Sequence, residues 1–289
     1  MVSVRRPSDR TIRLSDGRNL GFARYGAADG YPVIYCHGGL SCRLDAASSS
    51  AAANDAGVTV IAPDRPGIGL SDRHKGASLL DWPNDVAELA DALGVERFAV
   101  MGWSFGTAYA AACGYSLADR ISQTVLIASG IPRDWPDMIG QINSMDRRFL
   151  SWSGRLPWLD LAAFRAIGLT ARMAPGYFVK ATVKDLSPQS RNAITRDPDA
   201  FARATIEGLR NPAGVLDDYR IWDQPWGFSP AQIPGSVHLW HGDADELCPP
   251  AWSERLATAI PNADLTMVPG AGHFVARDHW PEIFASILR

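Results

Sequence analysis

Five short runs of consecutive apolar residues constrain the fold of this 289-residue chain more than any other feature. They read PVIYC (32–36), VTVIAP (58–63), FAVMGW (98–103), TVLIA (124–128) and VHLW (237–240). Continuous apolar runs, as opposed to alternating ones, are typical of strands that are covered on both faces in a parallel sheet. Helical stretches over about 43–56, 82–93 and 104–117 separate the first four runs, which predicts a doubly wound α/β architecture with right-handed crossovers.

The two ends of the chain extend this pattern. Residues 10–26 form two alternating runs around Ser-Asp-Gly, which predicts a β-hairpin. After the fifth run come a helix, a strand and a last helix, at about 250–260, 263–270 and 279–289.

Residues 131–234 interrupt the alternation, because they contain several helix-like pieces and no convincing strand. We therefore predict a core domain formed by residues 1–130 and 235–289, with a helical cap of residues 131–234 inserted between two sheet strands. The insertion carries five tryptophans, more than a small subdomain needs for packing, so we expect at least one to line an apolar pocket. These residues are Trp135, Trp152, Trp158, Trp222 and Trp226.

Composition excludes several classes of protein. A formal net charge of −3 and a pI near 6.1 give no indication of a nucleic-acid partner or an anionic membrane partner. No apolar run near the N-terminus resembles a signal peptide, so we expect a cytoplasmic protein. The four cysteines form no C-x-x-C pair and are expected to be reduced and mostly buried.

The segment MGWSFG (101–106) places a serine between two glycines where a predicted strand meets a predicted helix. In a very tight strand-to-helix turn, neighbouring chain passes close to the positions two before and two after the central residue. Gly102 and Gly106 supply the necessary space, and the strained turn thrusts the Ser104 hydroxyl outward at the carboxyl end of the sheet. Ser104 is therefore the candidate nucleophile.

A serine hydroxyl needs a general base, and the base needs an orienting acid. His273 lies on a glycine-rich loop directly after the last predicted strand, whereas the other five histidines are better explained structurally. Asp245 follows the strand that ends near residue 242 and is the preferred acid. Asp243 comes too early in that turn, and Asp134, just after another strand, remains the alternative.

An oxyanion requires two backbone donors near the nucleophile. We assign the N–H of Phe105, the residue after the serine, and the N–H of Gly39, in the glycine-rich loop after the first apolar run, with Leu40 as the near alternative to Gly39. Trp103 and Leu40 are predicted to contact the substrate.

Two short patterns in the sequence do not indicate ligand sites. The G-x-G within 65–72 has neither a third glycine in register nor a following helix, so it predicts no dinucleotide site. His238 and His241 lie on one strand with side chains on opposite faces, which predicts no zinc site. No cofactor and no metal are expected.

The chain resembles the α/β-hydrolase superfamily, and the resemblance covers nearly all of its length. It rests on HGG (37–39), DRPGIGLSD (64–72), GWSFG (102–106), HGDADELCPP (241–250) and GAGHF (270–274), in the order that the superfamily shows. The resemblance implies an α/β-hydrolase fold, a cap formed by the insertion, and the order Ser104, Asp245, His273 for nucleophile, acid and base. Dehalogenases and epoxide hydrolases of this fold usually carry aspartate at the position of Ser104 and are disfavoured. Thr107 departs from the pattern, which usually has a smaller residue there.

These residues together predict hydrolysis of a carboxylic ester that is small to medium in size and largely apolar. The resemblance leaves three alternatives: a carbon–carbon bond hydrolase acting on a diketone, a proline iminopeptidase-like peptidase, and a cofactor-free perhydrolase. A peptidase would need an acidic cap residue for the substrate amine, such as Glu207 or Asp217. A hypothesis of a different class is a receptor that binds a small ligand and turns it over slowly or not at all. The sequence gives no indication of the oligomeric state.

Overall fold

The computed structural model describes residues 10–136, 138–153 and 155–289, with the backbone alone for residue 153. Its eight strands form one sheet in the order β1-β2-β4-β3-β5-β6-β7-β8. The strands are β1 (Arg10–Arg13), β2 (Asn19–Gly26), β3 (Tyr31–Cys36), β4 (Val58–Pro63), β5 (Phe98–Trp103), β6 (Ile121–Ile127), β7 (Val237–Gly242) and β8 (Ala263–Val268). All five apolar runs and both flanking strand predictions are thereby confirmed.

The pairing of the strands places six of their carboxyl ends at one edge of the sheet. Strands β1 and β2 form the predicted antiparallel hairpin, and β2 pairs antiparallel with β4. Every other pairing, from β4 through β3 and β5 to β8, is parallel. Because loops that follow parallel strands gather at this edge, residues distant in sequence can meet there.

Twelve α-helices accompany the sheet in the described part of the chain. They are α1 (Ser50–Asp55), α2 (Trp82–Ala92), α3 (Gly106–Ser116), α4 (Met138–Gln141), α5 (Ser144–Ser153), α6 (Pro157–Met173), α7 (Pro175–Thr182), α8 (Pro188–Thr195), α9 (Pro198–Gly208), α10 (Pro212–Trp222), α11 (Pro250–Ala259) and α12 (Ala276–Ile287). The helix predicted over 43–56 begins as a 3₁₀ helix, Arg43–Ser49, before α1.

Helices α4 to α10 all lie between β6 and β7, so the interruption of the strand pattern is a helical insertion. The division into a core domain and a cap at residues 131 and 234 stays a prediction. None of the helices in the described ranges is both long enough and apolar enough to cross a membrane.

The hydrophobic core has two halves, one on each face of the sheet. Phe98 and Val100 of β5 pack into one buried cluster, and Ala99 and Met101 pack into the other. This alternation explains why the strand is apolar throughout, since neither face of β5 is exposed to water.

The turn from β5 into α3 has almost no free space. Ser104 has a φ of 55°, a left-handed conformation that non-glycine residues rarely adopt. A Cβ atom on Gly102 would lie 2.3 Å from the carbonyl oxygen of Gly106, and one on Gly106 would lie 2.0 Å from the carbonyl oxygen of Cys36. The prediction that both glycines are sterically required is confirmed.

Replacing Gly106 with alanine should therefore destabilise the protein. We expect Gly106→Ala to lower the free energy of unfolding by about 1–3 kcal/mol, because α3 must move away from β3. Urea denaturation followed by circular dichroism measures the change. The matched control is Gly176→Ala in α7, where no atom lies within 4 Å of the added Cβ and where alanine favours the helix. Equal stability of the two variants would contradict the steric argument.

Candidate active site

Ser104 is held by its backbone where β5 ends. Its N–H donates to the carbonyl oxygen of Ile127 at the end of β6 (2.9 Å), and its own carbonyl accepts hydrogen bonds from the N–H (3.0 Å) and hydroxyl (2.6 Å) of Thr107. The Thr107 hydroxyl also accepts a hydrogen bond from the N–H of Gly130 at 3.2 Å. Thr107, the departure from the superfamily pattern, thus connects the turn to the beginning of the insertion.

His273 and Asp245 are brought together at the same edge. The Nδ1 atom of His273 lies 2.9 Å from Oδ2 and 3.1 Å from Oδ1 of Asp245. Asp243 points elsewhere, accepting a hydrogen bond from the N–H of Gly270 at 2.7 Å. Asp134 is exposed. Of the three candidate acids, Asp245 is the one hydrogen-bonded to the imidazole.

A second imidazole, that of His241, also contacts Asp245. Its Nε2 atom lies 3.1 Å from Asp245 Oδ2, and its Nδ1 atom lies 2.6 Å from the hydroxyl of Ser253. The N–H groups of Leu247 and Cys248 donate to Asp245 Oδ1 at 2.8 and 2.9 Å. The carboxylate is therefore fixed from several sides and cannot rotate without losing hydrogen bonds.

These contacts shift the pKa values of the pair in opposite directions. Burial raises the pKa of Asp245, but the fields and hydrogen bonds of His273 and His241 outweigh it and hold that pKa well below its ordinary value. Burial lowers the pKa of His273, but the Asp245 carboxylate outweighs it and raises that pKa. The site stabilises an imidazolium beside a carboxylate.

The Ser104 hydroxyl and the His273 ring are not hydrogen-bonded to each other within the described residues. Close to this hydroxyl, burial and the field of Asp245 raise the pKa of the Cys248 thiol, whereas its interaction with Ser104 lowers that pKa. Hydrogen bonds between a nucleophile and its base are often long in unliganded enzymes and shorten when substrate binds.

The two residues predicted to supply the oxyanion donors, Gly39 and Phe105, are neighbours in the structure. A Cβ atom on Gly39 would lie 3.0 Å from the Phe105 ring, so the two residues are in close contact. Within the described part of the chain, the N–H groups of Gly39, Leu40 and Phe105 donate to no protein acceptor. All three N–H groups therefore remain available to a ligand, and the choice between Gly39 and Leu40 stays open.

Trp103 contacts the loop that carries His273. Its indole N–H donates to the carbonyl oxygen of His273 at 3.0 Å, and the centroids of the two rings are 5.3 Å apart. Leu40 packs partly buried against the core with a φ of 52°. Contact of Trp103 and Leu40 with a substrate stays a prediction.

A buried ion pair holds the loop that contains Gly39. The Arg65 guanidinium makes two hydrogen bonds to Asp218 of α10 (2.9 and 2.7 Å) and also donates to the carbonyl oxygens of His37 and Gly38. The Tyr109 hydroxyl donates to the same Asp218 carboxylate at 2.6 Å. The loop after β3 is thus tied to a helix of the insertion through one arginine.

Aromatic side chains of the insertion cover Phe105. The ring centroid of Trp222 lies 3.6 Å from that of Phe105, and the ring centroid of Tyr219 lies 5.0 Å from it. The Tyr219 hydroxyl donates to Asp146 of α5 at 2.7 Å, and burial raises the pKa of this carboxyl, whereas the field of His273 lowers it. Trp222 of the insertion therefore packs on the residue next to Ser104, while the expectation that a tryptophan lines an apolar pocket stays a prediction.

The two acids considered for a substrate amine are already paired. Glu207 lies 3.2 Å from Arg43, and Asp217 lies 2.6 Å from Arg73. Asp146 is the acidic residue of the insertion whose charge acts on His273.

Comparison with known proteins identifies the family of the chain. The model of a family described as the alpha/beta hydrolase family matches residues 33–287. The chain belongs to the alpha/beta hydrolase family. Its sheet, its helices and its fold class agree with that membership, so the resemblance inferred from sequence is confirmed.

Similar members of the alpha/beta hydrolase family have different activities. The chain is 25% identical to 2-hydroxymuconate semialdehyde hydrolase of Pseudomonas putida over 90% of this chain and 86% of that protein. It is 31% identical to a non-heme chloroperoxidase of Streptomyces lividans over 94% and 95% of the two chains. A thermophilic esterase from Thermogutta terrifontis has the same fold, with a TM-score of 0.69 and 21% identity over 97% and 96% of the two chains. The family supports a hydrolase, and these relatives leave the substrate open.

Sequence reasoning missed several residues around the site of this hydrolase. His241 was interpreted as structural, and its contact with Asp245 depends on the turn between them. Asp146, Asp218 and Tyr219 lie in helices whose packing no local motif specifies. The tryptophan clustering was the one signal that pointed toward this part of the insertion.

Replacing Asp218 should destabilise this hydrolase far more than replacing its neighbour Asp217. Asp218→Ala leaves the buried Arg65 guanidinium without its carboxylate, so we expect a loss of about 3–5 kcal/mol in the free energy of unfolding. Asp217→Ala removes a partly exposed pair with Arg73 and should cost less than about 1 kcal/mol. Urea midpoints and slopes for both variants provide the test. A loss of similar size in the two variants would contradict it.

Proposed function

We propose that this protein is a serine hydrolase that cleaves a small-to-medium, largely apolar carboxylic ester through an acyl-enzyme. The observation that carries the proposal is the hydrogen bond between His273 and Asp245 at the sheet edge where Ser104 is held in a left-handed turn. The esterase of the same fold and the family membership support the reaction class.

The acylation step assigns one role to each of the three side chains. The Ser104 hydroxyl oxygen attacks the ester carbonyl carbon, and its proton moves to Nε2 of His273. Asp245 keeps Nδ1 protonated and stabilises the resulting imidazolium, in line with the raised pKa of His273. The imidazolium then gives its proton to the departing alkoxide, which leaves as an alcohol. An acyl group remains on Ser104.

Deacylation repeats the same proton transfers with water. His273 removes a proton from water, the hydroxide attacks the acyl carbonyl, and the proton returns to the Ser104 oxygen as the acid is released. In both steps the developing oxyanion accepts hydrogen bonds from the N–H groups of Phe105 and Gly39. The rings of Phe105, Tyr219 and Trp222 favour an apolar acyl or alcohol group.

A carbon–carbon bond hydrolase acting on a diketone is the second candidate. Such an enzyme would use the same three side chains. The similarity to 2-hydroxymuconate semialdehyde hydrolase, whose name refers to a semialdehyde and not to an ester, favours this candidate. A peptidase that binds a substrate amine would use Asp146, since Glu207 and Asp217 are ion-paired. A panel of p-nitrophenyl esters of rising chain length, a diketone and a proline arylamide distinguishes the three, and we expect the highest kcat/KM on an ester.

A fluorophosphonate probe should label the wild-type protein on Ser104. We expect Ser104→Ala to abolish labelling and to lower kcat by about 10⁶-fold, because the variant lacks the proposed nucleophile and burial raises the pKa of the neighbouring Cys248 thiol. The matched control is Ser129→Ala, which removes a buried hydroxyl just after β6 and should retain full labelling. Labelling by mass spectrometry and ester hydrolysis provide the two readouts. An unlabelled wild type with an intact fold would favour the receptor hypothesis.

Asp245→Asn should move the pH profile as well as lower activity. Only neutral His273 can accept the serine proton, so kcat/KM rises as pH passes upward through the His273 pKa. Because Asp245 raises that pKa, its replacement should shift this rise to lower pH and reduce kcat by about 10⁴-fold. Asp243→Asn, two residues away, should leave the profile unchanged. Turnover within tenfold of wild type in Asp245→Asn would show that another acid serves His273.

A further inference from the structure

Exposed apolar side chains are concentrated in one part of the insertion. Seven large hydrophobic residues are exposed in the described chain, and six of them lie between residues 145 and 177. They are Met145 (45%), Leu156 (40%), Trp158 (63%), Leu169 (57%), Met173 (76%) and Tyr177 (69%), and the seventh is Leu288 (45%). Concentrated apolar surface often marks an interaction site, so this region is a candidate for one.

Helix α6 separates this surface from the protein interior. Asp160, Phe164 and Ala171 are buried on its inner side. On its outer side, Trp158, Ala162, Arg165, Leu169, Arg172 and Met173 recur every three or four residues and are all exposed. We call this outer row, together with Tyr177 and Lys180 of α7, the α6–α7 face.

The charge of this region is opposite to that of the whole chain. Residues 147–184 contain seven basic side chains, all of them exposed, and a single acidic one, Asp160, which is buried. The chain as a whole has 28 basic and 31 acidic residues. The α6–α7 face therefore combines exposed Trp, Tyr, Leu and Met side chains with a local excess of positive charge.

We infer that the α6–α7 face docks on an anionic lipid surface, with α6 lying parallel to the membrane plane. Aromatic and aliphatic side chains between cationic ones are the features of helices that lie in a lipid interface, where Arg and Lys contact anionic headgroups. A second copy of the chain fits less well. In a two-fold contact the same cationic face would lie on both sides, and none of the residues that define the face is an acid that could pair with Arg165, Arg172 or Lys180.

The net charge of the whole chain gave no indication of an anionic membrane partner. That net charge is an average, and it hides the local excess of positive charge around the α6–α7 face.

Docking would also place the lipid one helix layer from the candidate site. Phe164 on the inner side of α6 packs against Tyr219 with ring centroids 5.5 Å apart, and Tyr219 contacts Phe105. The inference itself does not depend on the proposed ester hydrolysis, because its test measures binding.

Vesicle flotation with the intact protein tests the inference. We expect binding to vesicles of mixed phosphatidylcholine and phosphatidylglycerol, little binding to phosphatidylcholine alone, and release at about 1 M salt, where charges are screened within a few ångströms. No binding to the anionic vesicles at low salt would overturn the inference.

Paired variants locate the binding surface. Arg165→Gln/Arg172→Gln should weaken binding about tenfold or more, since each basic residue near an anionic surface contributes about a factor of five. Trp158→Ser/Met173→Ser should weaken it by a similar factor. All four side chains are exposed, so urea denaturation should show an unchanged fold.

The controls carry the same changes elsewhere on the surface. Arg97→Gln/Arg289→Gln removes two exposed arginines, and Leu288→Ser removes the exposed hydrophobic residue outside the region. These variants should bind like wild type. Equal loss in controls and α6–α7 variants would overturn the inference. So would a dimer in sedimentation velocity that Trp158→Ser/Met173→Ser dissociates, because it would assign the face to a second copy.

Discussion

The close approach of α3 to β3 is the constraint on which the candidate site depends. With 2.0 Å between a hypothetical Cβ on Gly106 and the carbonyl oxygen of Cys36, only glycine allows the helix to begin where it does. The chain must reverse direction within a few residues, and Ser104 adopts a φ of 55° as a result. That strain is maintained by hydrogen bonds to Ile127 and Thr107, which join β6 and α3 to the turn. The proposed nucleophile, held in this way, needs no rearrangement of its own backbone to meet a substrate.

Near this turn, the Asp245 carboxylate is the charge that controls the protonation of the neighbouring imidazole. Burial raises the pKa of Asp245, yet that pKa is depressed because the charges and hydrogen bonds of His273 and His241 outweigh burial. Two backbone N–H groups also donate to the carboxylate and fix its orientation. Its ring partner His273 is fixed in turn by the Trp103 indole. A buried charge of this kind contributes little net stability, but it fixes geometry, and an acid that orients a base requires fixed geometry. The same turn supplies Cys248, a buried residue whose backbone N–H donates to Asp245.

Buried ion pairs also explain how the helical insertion is attached to the sheet. Arg65 links the loop after β3 to Asp218 of α10, and Arg43 links Asp64 to Glu207 of α9. The aromatic packing of Tyr219 and Trp222 on Phe105 fills the space between these pairs. The outer side of the insertion is built differently, with exposed apolar and basic residues along α6. The inner side of the insertion thus packs against the residues of the candidate site. Its outer side, along α6, has no partner within the described chain.

The sequence by itself was sufficient to predict the sheet and the strand-to-helix turn. It was also sufficient to select Ser104, Asp245 and His273, which are far apart in the chain, as candidate site residues. Each of these depends on local patterns: continuous apolar runs, glycines at fixed offsets, and polar residues directly after strands. The tertiary structure alone decided that His241 shares Asp245, that Arg65 and Asp218 hold the loop at Gly39, and that Asp146 acts on His273. The contacts of Asp218 and Asp146 join segments up to about half the chain apart through helices of the insertion, whereas His241 and Asp245 meet through the conformation of the turn between them. Helix packing depends on side-chain shapes across many positions, and no local pattern in the sequence encodes it.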